Sequence, residues 1–126
     1  MVDLDSMTEQ HTQTLKLSTH ELVRRLNKDL GTTLVATLAG VKDRKLPYKW
    51  AEAGGPVPRD EAYKRLQAAH RVWQMINDAD NDYLARAWFI GANPRLGEEA
   101  PVIRLREGSI AEVIAAAKAF VEGLDD

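Results

Sequence analysis

The side chains best suited to chemistry in this sequence are cationic. Lys42, Arg44 and Lys45 fall within four residues, and Tyr48 and Lys49 follow about one helical turn later. Ammonium and guanidinium groups spaced this closely suit phosphate contacts, and a phenol adds a hydrogen-bond donor. A solvated polar turn has the same composition, so spacing alone leaves both readings open. Asp78, Asp80 and Asp82 alternate like the start of a calcium loop. Tyr83 stands where such a loop needs glycine, however, and the distant bidentate glutamate is missing. His11, His20 and His70 are separated by helix breakers and share no metal-ligand spacing. The chain has no cysteine, which removes disulfides, thiolate metal sites and thiol nucleophiles together. It has neither a G-x-S-x-G elbow nor a glycine-rich phosphate loop. The expectation is a protein with no metal site, no cofactor and no catalytic residue.

Charge divides the chain. Residues 18–74 carry eleven Lys/Arg against six Asp/Glu, whereas residues 75–126 carry five against ten. A basic half suits the phosphate backbone of DNA, and an acidic half suits a protein partner. Ordinary scatter of surface charge would also give some asymmetry. The first residues, 1–15, lack the basic region and apolar run of a signal peptide, and no stretch reaches spanning length. A soluble, cytoplasmic protein is therefore expected.

These side chains need scaffolding, and the hydrophobic pattern supplies only helices. Residues 1–17 read as a flexible tail rich in Thr, Gln, Asp and Glu. Ser18 and Glu21 have capping-box spacing, and Leu22, Val23, Leu26 and Leu30 predict a helix over 19–30 that Gly31 ends. Thr32 and Thr33 offer a cap for a short helix carrying Leu34, Val35 and Leu38, ending at Ala39-Gly40. Pro47 fits the first turn of a third helix that includes Trp50. Gly54-Gly55-Pro56-Val57-Pro58 is a connector. A longer helix over about 60–77 follows, with Leu66, Ala69, Trp73 and Ile76 on one face. Further short helices are expected over 83–90 and 101–106. A last helix begins after Ser109, which with Glu112 forms a second capping-box pattern. Trp50, Trp73 and Trp88 sit among apolar neighbours at helical spacing and read as core residues, and His70 as a structural histidine. No stretch alternates with period two, so no substantial sheet is expected. The fold class is all-α: a compact multi-helix domain with an N-terminal helix-turn-helix-like bundle and a small helical C-terminal part. Two short helices across a tight turn, flanked by helices on both sides, are the arrangement that places a recognition helix against DNA.

The run ARAWFIGANPRLGEEAPVIRLREGSIAEVIAAAKAFVEG, residues 85–123, resembles the toxin-binding domain of the Xre/MbcA/ParS-type antitoxin family. The resemblance rests on Trp88-Phe89, Asn93-Pro94, Leu96-Gly97, Pro101, Leu105 and Gly108, and on a closing helix with Val113, Ala116 and Phe120. Upstream, LVATLAGVKDRKLPYKWAEAG, residues 34–54, resembles that family's Xre-type helix-turn-helix, with Trp50 at the end of its third helix. The likeness implies a flexible tail over 1–17, a helix-turn-helix region over 18–77 and a toxin-binding domain over 78–126.

It further implies a partner protein in place of a substrate. Such antitoxins neutralise a RES-domain toxin that consumes NAD, or a related ADP-ribosyltransferase-like enzyme. They cover the entrance to its active site and commonly repress their own operon. On this reading Lys42, Arg44, Lys45, Tyr48 and Lys49 contact operator DNA. Arg86, Phe89, Asn93, Arg95, Phe120, Glu122, Asp125 and Asp126 contact the toxin. Asn93-Pro94 could instead cap a loop, and the acidic terminus could serve solubility alone. A homodimer is expected, because two half-sites usually need two modules. Two rivals are a stand-alone helix-turn-helix transcriptional regulator without a toxin and a protein-binding module that has lost DNA contact.

Overall fold

In the computed structural model, residues 17–123 are described, and the described secondary structure is helical apart from one isolated bridge between Asn93 and Glu99. Helix α1 (Thr19–Leu30) starts where Ser18 Oγ accepts a hydrogen bond from the Glu21 amide at 3.1 Å. Only that arm of the expected capping box forms. The Glu21 carboxylate turns to Arg24 and Arg25 instead, as the charged i,i+3 and i,i+4 pairs on a helix surface permit. Leu22, Val23, Leu26 and Leu30 are buried, as their spacing required.

Gly31 ends α1 and begins α2 (Thr32–Ala39) with φ +88°, a conformation that side-chain-bearing residues rarely adopt. One residue therefore serves both helices. The expected Thr32–Thr33 cap does not form, and Thr32 lies inside the helix with no side-chain bond at its N-terminus. Helix α3 (Leu46–Ala51) has Pro47 in its first turn and buries Pro47 and Trp50. Helix α4 (Asp60–Ala79) is the longest, with Leu66, Ala69, Val72, Trp73 and Ile76 inward. Its first turn carries Asp60 and Glu61, which complement the positive end of the helix dipole.

Asn81 caps α5 (Asp82–Ile90) by accepting the Leu84 amide at 2.8 Å. A 3-10 turn (Pro94–Leu96), α6 (Pro101–Arg106) and α7 (Ile110–Val121) complete the described chain. The second predicted capping box is absent. Ser109, at φ −79° and ψ 54°, is outside the extended conformation usual for a cap and makes no side-chain cap bond, while the Glu112 carboxylate pairs with Arg104 across the α6–α7 turn.

Helix α4 packs on α1, α2, α5 and α7, while α2 packs on α6 as well as on α1. The buried side chains from Leu22 in α1 to Ala117 in α7 therefore form one continuous cluster. Residues 18–77 and 78–123 share this core. Leu17, assigned to the tail on sequence, packs partly buried against it, and the expectation for residues 1–16 lies outside the described residues. Among the described residues no helix is long and apolar enough to cross a membrane.

Candidate functional site

The turn between α2 and α3 is ordered by its own acid. Asp43 Oδ1 accepts the Lys45 amide at 2.8 Å, and the Asp43 carbonyl accepts the Leu46 amide at 3.2 Å. This side-chain-capped turn leaves Lys42, Arg44 and Lys45 exposed on its outside, followed by exposed Lys49. Tyr48 is 61% exposed, and its hydroxyl oxygen lies 3.5 Å from the Thr32 hydroxyl at the start of α2. The five cationic and phenolic residues named from sequence are thus on one short stretch of solvent-facing backbone.

Six residues make too short a helix to hold itself, because nucleation is not repaid over so few hydrogen bonds. Helix α1 supplies the support. His20 Nδ1 lies 2.7 Å from the Trp50 carbonyl oxygen, Arg24 Nη2 donates to the Ala51 carbonyl at 2.9 Å, and Asn27 Nδ2 donates to the Pro47 carbonyl at 2.9 Å. Residues 20, 24 and 27 lie on one helical face, so a single polar stripe of α1 satisfies the carbonyls of α3. With Trp50 buried beneath it, α3 is fixed from below and by its backbone. Sequence reasoning missed this trio. The signal was the spacing of three hydrogen-bonding side chains at the edge of an apolar stripe.

The second set of candidate residues divides by exposure. Arg86, Arg95 and Glu122 are exposed. Phe89 is fully buried, at right angles to the Trp88 ring with centroids 5.7 Å apart. Its position in α5, next to Ala85 and Trp88 on the inward face, drives it into the core. Asn93 is likewise buried at 6% exposure and organises its own loop. Its Oδ1 accepts the Arg95 amide at 2.9 Å, its carbonyl accepts the Leu96 and Glu98 amides, and its amide donates to Glu99. The loop-capping alternative is the one that the geometry realises. Phe120 is half-buried, tilted against Trp88 at 6.4 Å, and Asp125 and Asp126 lie outside the described residues. The outer face of α5 instead carries Tyr83, Arg86 and Ile90 at helical spacing, with Tyr83 83% and Ile90 54% exposed. Large exposed apolar groups so arranged mark a contact surface more often than scattered ones do.

Concavities flank these surfaces. A polar hollow of about 330 Å³ lies between α1 and α4, lined by Arg25, Lys28, Asp29, His70 and Asn77 among others. Burial, and then the Arg25 charge, hold the His70 imidazole below the ordinary histidine value of 6.5. Burial beside Asp82 raises the Asp29 carboxyl above its ordinary value. Among the described residues no group of three or more His, Asp or Glu is placed to hold a metal ion. Another concavity is an apolar groove of about 490 Å³ between α3 and the start of α4. No protein-family model, curated protein or solved structure matches this chain.

Proposed function

We propose that this chain is a DNA-binding antitoxin of the type II class, which grips DNA through the α2–α3 turn and neutralises a partner toxin through its C-terminal half. The observation that carries the reading is the exposed set Lys42, Arg44, Lys45 and Lys49 beside a helix fixed by three side chains of α1. Outward cations suit phosphate contact, and a backbone already fixed has less ordering entropy to lose on binding. The C-terminal half adds the exposed stripe Tyr83, Arg86 and Ile90, with Arg95 and Glu122 on neighbouring segments. The net positive charge of residues 18–74 and the net negative charge of residues 75–126 suit two different partners. On this reading the toxin is a RES-domain or ADP-ribosyltransferase-like enzyme, and the chain acts in the cytoplasm as a homodimer with no catalytic step of its own.

The test is co-expression of the tagged chain with the product of the adjacent gene, followed by growth with that product alone. Co-purification and rescue of growth support the reading; a harmless neighbour that does not bind sinks the toxin assignment. DNA binding is tested separately on the region upstream of the gene. Lys42→Ala and Lys45→Ala should weaken binding on all sequences alike and lower the salt slope by about one for each lost phosphate contact. A salt-independent absence of DNA binding would sink that half.

The burial of Phe89 and Asn93 favours one alternative, a stand-alone helix-turn-helix regulator without a toxin. Operator affinity with no co-purifying protein would establish it.

A further inference from the structure

The groove between α3 and α4 joins apolar walls to a fixed cation. Leu46, Val57 and the buried Trp50 and Ala62 line it, and Val57 is 59% exposed there. The charged lining residues are Arg59, Glu61 and Arg65, which leave the groove net positive. Neither arginine pairs with a carboxylate among the described residues. Arg65 Nη1 donates to the Ala39 carbonyl at 3.2 Å, and its Nε is buried without a hydrogen-bond partner. That bond holds the half-buried guanidinium over Gly40, where an added Cβ would meet it at 2.8 Å. A cation that has given up water for a single carbonyl favours any anion able to approach it.

We propose that this groove binds a small amphipathic carboxylate. Its apolar body lies against Leu46, Trp50 and Val57, its carboxylate pairs with Arg65, and the exposed Arg59 draws the anion toward the groove. The volume of about 490 Å³ falls within the range of about 300–1,000 Å³ typical of small-molecule clefts. Such clefts set a few placed polar groups in a mostly apolar lining, as here. An ammonium ligand would find Glu61 alone among the lining residues, against two arginines. The lining runs from Ala39 and Gly40 at the end of α2 to Leu46 and Trp50 in α3, so a bound molecule touches both sides of the turn between them. The binding is independent of what that turn contacts.

Three probes that share one ring system and differ in charge test the site: naphthoate, naphthylmethanol and naphthylmethylammonium. Each is titrated into the isotope-labelled full-length chain and followed by amide chemical shifts. Naphthoate should shift Gly40, Val57 and Ala62 saturably. It should bind about tenfold more tightly than the alcohol, as a charge-assisted hydrogen bond allows. Arg65→Gln should erase that preference while the alcohol still binds. Arg65 also holds the end of α2, so a second variant leaves it in place. Val57→Glu adds a carboxylate to an exposed wall and should weaken naphthoate more than the alcohol. Any of four results would overturn the proposal. Naphthoate gives no saturable shift, the alcohol or the ammonium probe binds as tightly, the shifts centre on the exposed Tyr83 and Ile90, or Val57→Glu leaves naphthoate affinity unchanged.

Discussion

His70 lies half-buried beside Arg25, and both burial and that cation oppose its protonation. Its folded value is below 6.5, so between the two values the unfolded chain binds more protons than the native one. Stability then rises with pH across that window; read downward, it starts to fall below pH 6.5 and levels off once the folded value is passed. His70→Gln removes this contribution. Thermal unfolding from pH 8 to pH 5 should show the two proteins converging, or the variant overtaking, as pH falls. A constant gap across the range would show that His70 does not titrate differently on folding. Near this site burial and Asp82 likewise favour the neutral form of Asp29, which for a carboxyl raises the pKa. The histidine spacing showed no metal-ligand pattern in the sequence, but the low basicity of His70 comes from burial first and Arg25 second, 45 positions away in the chain, and only the packing of α4 on α1 brings these about.

At the scale of elements, two small details decide whether α2 and α3 keep their angle. Gly40 closes α2 at φ +80°, and a Cβ built there would meet Arg65 Nη1 at 2.8 Å. Gly40→Ala therefore combines a left-handed backbone with displacement of the guanidinium that caps Ala39. A loss of about 1–2 kcal/mol is expected from the backbone alone, read as a lower midpoint in denaturant at unchanged slope. Asn27→Ala removes the side-chain donor to the Pro47 carbonyl and should cost about 1 kcal/mol. Its local signature is faster exchange of the Lys49 amide, which bonds to the Lys45 carbonyl across α3. Unchanged exchange there would mean that Trp50 burial suffices to hold the helix.

The helices themselves were legible because their signals are local. Leucine spacing in α1, Pro47 and Pro101 in first turns, and Gly31 and Gly40 at ends each read correctly from a few neighbouring residues. The caps were less legible. Glu21 and Glu112 had the right spacing, yet nearby arginines offered stronger charge-assisted partners. Phe89 could not be placed because its neighbours Trp88 and Ile90 are equally apolar, and only the docking of α5 decides that Ile90 faces out.

At the scale of the molecule, the question is whether the N-terminal and C-terminal halves melt together. Helix α2 contacts α6, α4 contacts α7, and the buried cluster is continuous from α1 to α7. Removing Phe89 opens a void in that cluster from the C-terminal side. Phe89→Ala should cost about 3–5 kcal/mol, a large share of what a domain of this size has in hand. If the variant does not fold, Phe89→Leu gives the same test at smaller cost. Hydrogen exchange is the direct readout, because a shared core lowers the protection of Leu26 and Val35 in α1 and α2 together with that of Val113 in α7. Independent halves would leave Leu26 and Val35 protected while Val113 exchanged freely. A shared loss would also bear on the proposed function: a ligand that binds only the folded C-terminal half would then stabilise the backbone under Lys42 to Lys49, and the two proposed surfaces would be coupled through the fold.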